Sequence, residues 1–175
     1  MIRLSNSTNF HADFIRNIRS KLEELKSDTK KAIMQMEEES IFWSPNEQSN
    51  SVDVLVKHMS GNLNSRWTDF LTTDGEKKDR DRDSEFESTI ESREELLKVW
   101  ENGCDAFFKA IDSIEEKHLL QTIYIRNKPH TVLEAIIRSI THISIHVGQV
   151  IYIAKQVTPE DKWTTLSIPK RKDKK

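Results

Sequence analysis

Four stretches of this chain repeat their apolar residues at steps of three and four, the spacing of a helix with one buried face. In the first, Phe10, Phe14, Ile18, Leu22, Leu25, Ile33 and Met36 keep the pattern with one gap, and Ser7 or Asn6 is placed to cap it. That helix should stop before Trp43-Ser44-Pro45-Asn46, because proline disfavours helical backbone in the residue ahead of it. A second helix is expected over 51–71, burying Leu55, Met59, Leu63 and Phe70. A third, over 89–114, aligns Ile90, Leu97, Trp100, Cys104, Phe107, Ile111 and Ile114. The fourth carries Leu133, Ile136, Ile137, Ile140, Ile143, Val147, Val150, Ile151 and Ala154 to about Val157. Its start is marked by Thr131-x-x-Glu134, where hydroxyl and carboxylate each satisfy an exposed backbone amide.

Between these stretches the pattern lapses twice. Residues 72–88 hold Asp74-Gly75 and the mixed run Glu76-Lys77-Lys78-Asp79-Arg80-Asp81-Arg82-Asp83, read as a solvated connection or, alternatively, a pocket lid. Residues 119–131 alternate instead, which predicts a short hairpin before Asn127-Lys128-Pro129 gives way to the last helix. Only 4 Gly and 4 Pro in 175 residues leave too few turns for a many-stranded sandwich or barrel. The expected fold is all-α: a four-helix bundle over 1–169 with a long crossover between the second and third helices, which can reverse the usual up-down order. Residues 170–175 form a basic tail, expected to be disordered, with anion contact as the alternative.

With 27 basic and 29 acidic side chains, the net charge of −2 argues against a dedicated nucleic-acid binder. No apolar run approaches the roughly 18 residues of a membrane span, and the first ten residues lack a signal-peptide core, so a cytoplasmic location is expected. The single cysteine, Cys104, falls on an apolar helical face and reads as a packed thiol. A multi-cysteine zinc site is excluded, which leaves any metal to His, Asp or Glu.

Six histidines are present. His142 and His146 stand four apart on the fourth helix, on one face and separated by a rise of about 6 Å. Two imidazoles so placed converge on one ion, although the spacing also arises by chance. His58 lies amid Leu55, Met59 and Leu63 of the second helix, where an imidazole needs a partner, and it is positioned to face the pair. Ile143-Ser144-Ile145 between the paired histidines lacks the glutamate of a His-Glu-x-x-His protease. Asn62, Arg66 and Asp69 follow His58 at helical steps, and Arg138 and Gln149 flank the pair, all as candidate substrate contacts; for Arg66, Asp69 and Arg138 the alternative is surface salt bridging. His11, His118 and His130 have no partner at ligand spacing and read as packing or surface residues.

Longer motifs run through the same residues. They are the mid-helix His58, the run Gly61-Asn62-Leu63-Asn64-Ser65-Arg66-Trp67-Thr68-Asp69-Phe70-Leu71-Thr72-Thr73-Asp74-Gly75-Glu76-Lys77, then Arg82-Asp83-Ser84-Glu85-Phe86 and His142-Ile143-Ser144-Ile145-His146-Val147-Gly148-Gln149. Lys162-Trp163-Thr164-Thr165-Leu166-Ser167-Ile168-Pro169 closes the set. In them the chain resembles the DinB/YfiT-like superfamily, and within it a subgroup of uncharacterised bacterial proteins. The resemblance implies a four-helix bundle with an unusual connection and a divalent metal, zinc or nickel, on His58, His142 and His146. It also implies a homodimer, and some members resemble transferases that use a low-molecular-weight thiol.

Three functions follow as expectations. In the first, a three-histidine metal with an open position binds the thiol of a small cofactor as thiolate, with Arg66 and Arg138 holding its carboxylates. In the second, the metal activates water for hydrolysis, with Asp69 as the nearest base by spacing. The third is a metal-binding or dimerising module without turnover, and beneath all three lies the plain alternative of three packed histidines.

Overall fold

The computed structural model of the protein describes residues 10–168. Four helices dominate: α1 (Phe10–Gln35), α2 (Val52–Trp67), α3 (Arg93–Ser113) and α4 (Val132–Val157), with an antiparallel hairpin of β1 (Thr122–Ile125) and β2 (Lys128–Thr131) before the last. The expected cap at Ser7 or Asn6 and the basic tail lie outside the described residues. Thr131 and Glu134 make the capping box that opens α4: the Glu134 amide donates to Thr131 Oγ1 at 3.1 Å, and the Thr131 amide to Glu134 Oε2 at 2.7 Å.

Two helices end earlier than their periodicity suggests. α1 stops at Gln35, and Ile41 is buried from a short 3-10 turn, Glu39–Phe42, instead. α2 stops at Trp67, because Asp69 adopts a left-handed backbone (φ 49°) whose carbonyl accepts the amides of Thr72 and Thr73. Phe70 is still buried, but from a turn rather than from a helical face.

Side-chain pairs give the helix directions. Arg19 meets Asp112 and Lys26 meets Glu101 and Asp105, so α1 and α3 are antiparallel. Ser60 donates to Val99 O and Trp67 stacks on Phe107, so α2 and α3 are parallel. His58 meets His146 while Trp67 Nε1 donates to Ser139 Oγ, so α2 and α4 are antiparallel. The resulting order is up, down, down, up, and residues 68–92 must return along the length of the bundle. Parallel α2 and α3 approach closely at Gly103, where an added Cβ would lie 2.6 Å from Ser60 Cα. Trp100, Phe107, Leu22, Ile33, Met59, Leu63, Ile111, Ile136 and Ile143 fill the core between all four helices.

The returning strap is fastened at several points. Lys57 Nζ donates to Ser84 O, Glu87 O and Thr89 Oγ1, and Ser65 Oγ donates to Gly75 O. Asp74 accepts the amides of Glu76, Arg126 and Asn127 at 2.7–2.8 Å. Arg126 and Asn127 both have positive φ (56° and 59°), the two-residue turn that suits the twist of a hairpin. Burial alone would raise the Asp74 carboxyl, but these three amides hold it below the usual carboxylate range. A carboxylate of the strap thus fixes the hairpin tip against the end of α2.

Candidate metal centre

His58 lies one turn past Leu55 on α2 and is 5% exposed, while His142 and His146 occupy adjacent turns of α4. Because α2 and α4 pack antiparallel, the three rings meet with their planes nearly perpendicular, centroids 4.6–5.3 Å apart. His142 Nε2 is 3.3 Å from His58 Nε2 and 3.1 Å from His146 Nε2. Zinc–nitrogen bonds of about 2.0–2.1 Å at tetrahedral angles place ligand nitrogens roughly 3.3–3.4 Å apart, close to these two spacings, and all three rings offer a nitrogen within 4.8 Å of the others.

The outer nitrogens decide which atoms face the centre. Glu85 Oε2 can only accept, so His58 Nδ1–H donates to it at 2.9 Å and leaves a lone pair on Nε2. His146 Nδ1–H donates to Gln149 Oε1 at 2.7 Å with the same result. His142 Nδ1 has no partner among the described residues. With its proton on Nε2, His142 can donate to His146 Nε2 or His58 Nε2, and a cation taking the place of that proton would draw all three Nε2 lone pairs. Burial, followed by the charges of His146 and His58, lowers the His142 pKa to about 4, and burial lowers that of His146. Both rings are therefore neutral, the ligating form, at neutral pH. The donor set fits a divalent metal.

Glu85 comes from the strap, in a 3-10 turn over Asp83–Phe86. It also accepts Arg80 Nε and Nη2, each at 2.7 Å, and Arg80 Nη1 donates to Glu76. Burial opposes the Glu85 charge, but the bonds from His58 and Arg80 prevail and its carboxyl titrates below the usual range. Gly61, one turn from His58, leaves the space this carboxylate fills: a Cβ there would sit 2.7 Å from Glu85 Cδ. Phe86 covers the His58 ring at 4.7 Å, and Arg82 covers Phe86.

A cavity of about 420 Å³ opens beside His58 and His142, lined also by Asn62, Arg66, Arg82, Arg126, Arg138, Thr141 and Ile145. Of the sequence candidates, Asn62, Arg66 and Arg138 reach this cavity. Gln149 instead orients His146. Asp69 does not join them: it is exposed and lines a separate hollow with Asn64, Asn102 and Lys109. The helix that was to carry Asp69 to this face ends two residues before it.

Glu85, Arg80, Gly61, Arg82 and Arg126 had no assigned role in the spacing argument. The first signal was the Arg82-Asp83-Ser84-Glu85-Phe86 motif, whose apolar Phe86 interrupts the charge run. His11 Nε2 bonds Ile114 O, and His118 Nδ1 accepts the Glu115 amide, so both serve local packing. Cys104 is fully buried, and burial drives its thiol pKa well up.

The fold and site define a helical bundle whose second and fourth helices bring three histidines to metal-binding distance. The chain belongs to a family described as a protein of unknown function (DUF1572), whose profile matches residues 9–172. No curated protein matches it.

Proposed function

We propose that His58, His142 and His146 hold one divalent cation, zinc or nickel, as the DinB/YfiT-like resemblance implies, and that the protein is a metal-dependent transferase using a low-molecular-weight thiol. The observation that carries the reading is the convergence of three Nε2 atoms, with two of the outer Nδ1 atoms tied to acceptors. A carboxylate behind a ligating histidine fixes its tautomer and raises its basicity, which is the part Glu85 plays. A divalent cation there would favour the thiolate form of a small thiol and so supply the nucleophile. The cavity beside His58 and His142 gives such a molecule room and positive charge.

Hydrolysis is less well served. The cavity lining holds no carboxylate, Asp69 lies elsewhere, and Glu85 is engaged by His58 and Arg80. A homodimer and a cytoplasmic location belong to the same proposal, and light scattering on the purified protein tests the first.

The test is metal analysis of protein purified without a histidine tag. One equivalent of zinc or nickel is expected, lost in His142→Ala with the helical circular dichroism retained. Full occupancy in that variant would refute the ligand assignment. Conjugation of a model electrophile that depends on both metal and added thiol supports the transferase, whereas thiol-independent hydrolysis overturns it.

A further inference from the structure

The cavity beside the histidines is cationic beyond what the neighbouring carboxylates of Glu76 and Glu85 balance. Arg126 is engaged by Glu76, and Arg80, behind the wall, is shared between Glu76 and Glu85. Arg66, Arg82 and Arg138 have no carboxylate partner among the described residues. Arg138 and Arg82 are exposed at the rim, where water solvates a guanidinium cheaply. Arg66 is different: it is 4% exposed, and its Nε has no hydrogen-bond partner. Asn62, one helical turn earlier on the same wall and 7% exposed, has an unpartnered Oδ1, an acceptor for an N–H or O–H of a bound molecule rather than for its anionic oxygens.

A buried guanidinium without a counter-charge is among the costliest groups a fold can hold, unless a ligand supplies the charge. Its planar fork matches the two oxygens of a carboxylate or phosphate, and two further guanidinium groups at the rim favour more than one negative charge. We propose that Arg66, with Arg82 and Arg138 at the rim, is a binding subsite for a dianionic oxyanion, the phosphate monoester or paired carboxylates of a small molecule. The subsite adjoins His58 and His142, so the other end of that molecule would face the histidine cluster. That orientation rests on the metal reading, but the subsite itself does not.

Burial, together with the neighbouring Arg138 and Arg80, lowers the Arg66 pKa to about 10, which leaves it cationic at neutral pH. Glu76 is the nearest opposing charge, and it is already shared by Arg80 and Arg126. The cavity is thus positive although the whole chain carries a net charge of −2.

The test is isothermal titration of the full chain with inorganic phosphate, malonate and acetate, in low-salt buffer free of other multivalent anions. Wild type is expected to bind phosphate or malonate at least about tenfold more tightly than acetate, and whichever dianion binds better identifies the group. Arg66→Gln should weaken dianion binding by about ten- to hundredfold while keeping wild-type metal content, since a hydrogen bond to a charged group is lost without touching a histidine. Arg138→Gln, at the exposed rim, provides a second variant that cannot disturb the core and should weaken binding several-fold. His142→Ala stripped of metal should still bind the dianion, which separates this subsite from the metal centre. Equal binding of acetate and dianions by wild type, or unchanged dianion affinity in both arginine variants, would overturn the proposal.

Discussion

Replacing Glu85 tests the link between the strap and the histidine cluster. In the native protein its carboxylate accepts three bonds, one from His58 at 2.9 Å and two from Arg80 at 2.7 Å, with both the Glu85 and His58 side chains 7% exposed. Glu85→Ala leaves His58 Nδ1–H without an acceptor and leaves Arg80, with its side chain 5% exposed, only Glu76. Breaking a buried ion pair on one side costs about 3–5 kcal/mol. At about 2–4 °C per kcal/mol for a domain of this size, the metal-free protein should melt roughly 6–20 °C lower. Glu85→Gln keeps an oxygen for His58 but loses the charge, so its chief effect should fall on the metal. Loss of such an outer partner typically weakens metal affinity about ten- to hundredfold, or roughly 1.4–2.7 kcal/mol. Thermal melts in chelator measure the first effect, and zinc competition against a chromogenic chelator measures the second. Wild-type melting in Glu85→Ala together with wild-type zinc affinity in Glu85→Gln would show that the strap does not hold the site.

Two further predictions concern titration and packing. The His142 pKa is lower in the folded chain, about 4 against 6.5, so between those values the unfolded chain binds more protons. Metal-free stability should therefore be full above about pH 6.5 and fall as pH drops toward 4, by no more than about 3 kcal/mol from this group, and denaturant melts of wild type and His142→Gln compare the two slopes. A slope unchanged by His142→Gln would contradict the burial of a neutral ring. Gly103→Ala should destabilise by about 1–3 kcal/mol, because its Cβ would meet the Ser60 backbone, whereas Gly148→Ala meets nothing within 4 Å and should be neutral or stabilising by up to about 1 kcal/mol. Chemical denaturation of the pair decides it, and equal effects would mean that α2 and α3 do not approach closely at Gly103.

The site was legible where a periodic element carries it. Helical spacing alone selects His142 with His146, and the apolar neighbours of His58 give it an inward face, as found. Legibility failed where periodicity ends. Asp69 was assigned to the α2 face by a spacing count, but the helix stops at Trp67 and a left-handed residue turns the chain away. Mixed charge in 72–88 suggested solvent, and Lys78, Asp79, Asp81, Arg82 and Asp83 do face it, yet the same run sends Arg80 and Glu85 inward. Composition cannot separate the two sets, because the partner that meets Glu85 is His58, 27 residues earlier, and the run itself has no apolar period.

The amino-acid order by itself determined the four helices, the capping box that opens the last of them and the face on which the paired histidines stand, because each depends on residues within a turn or two of one another. Tertiary packing decided the rest. Parallel α2 and α3 force the strap back along the bundle, and only that return brings Glu85 to His58 and leaves Arg66 buried without a counter-charge. Burial and charge pairing are properties of whatever lies across the gap, and a chain read in order does not say what that will be.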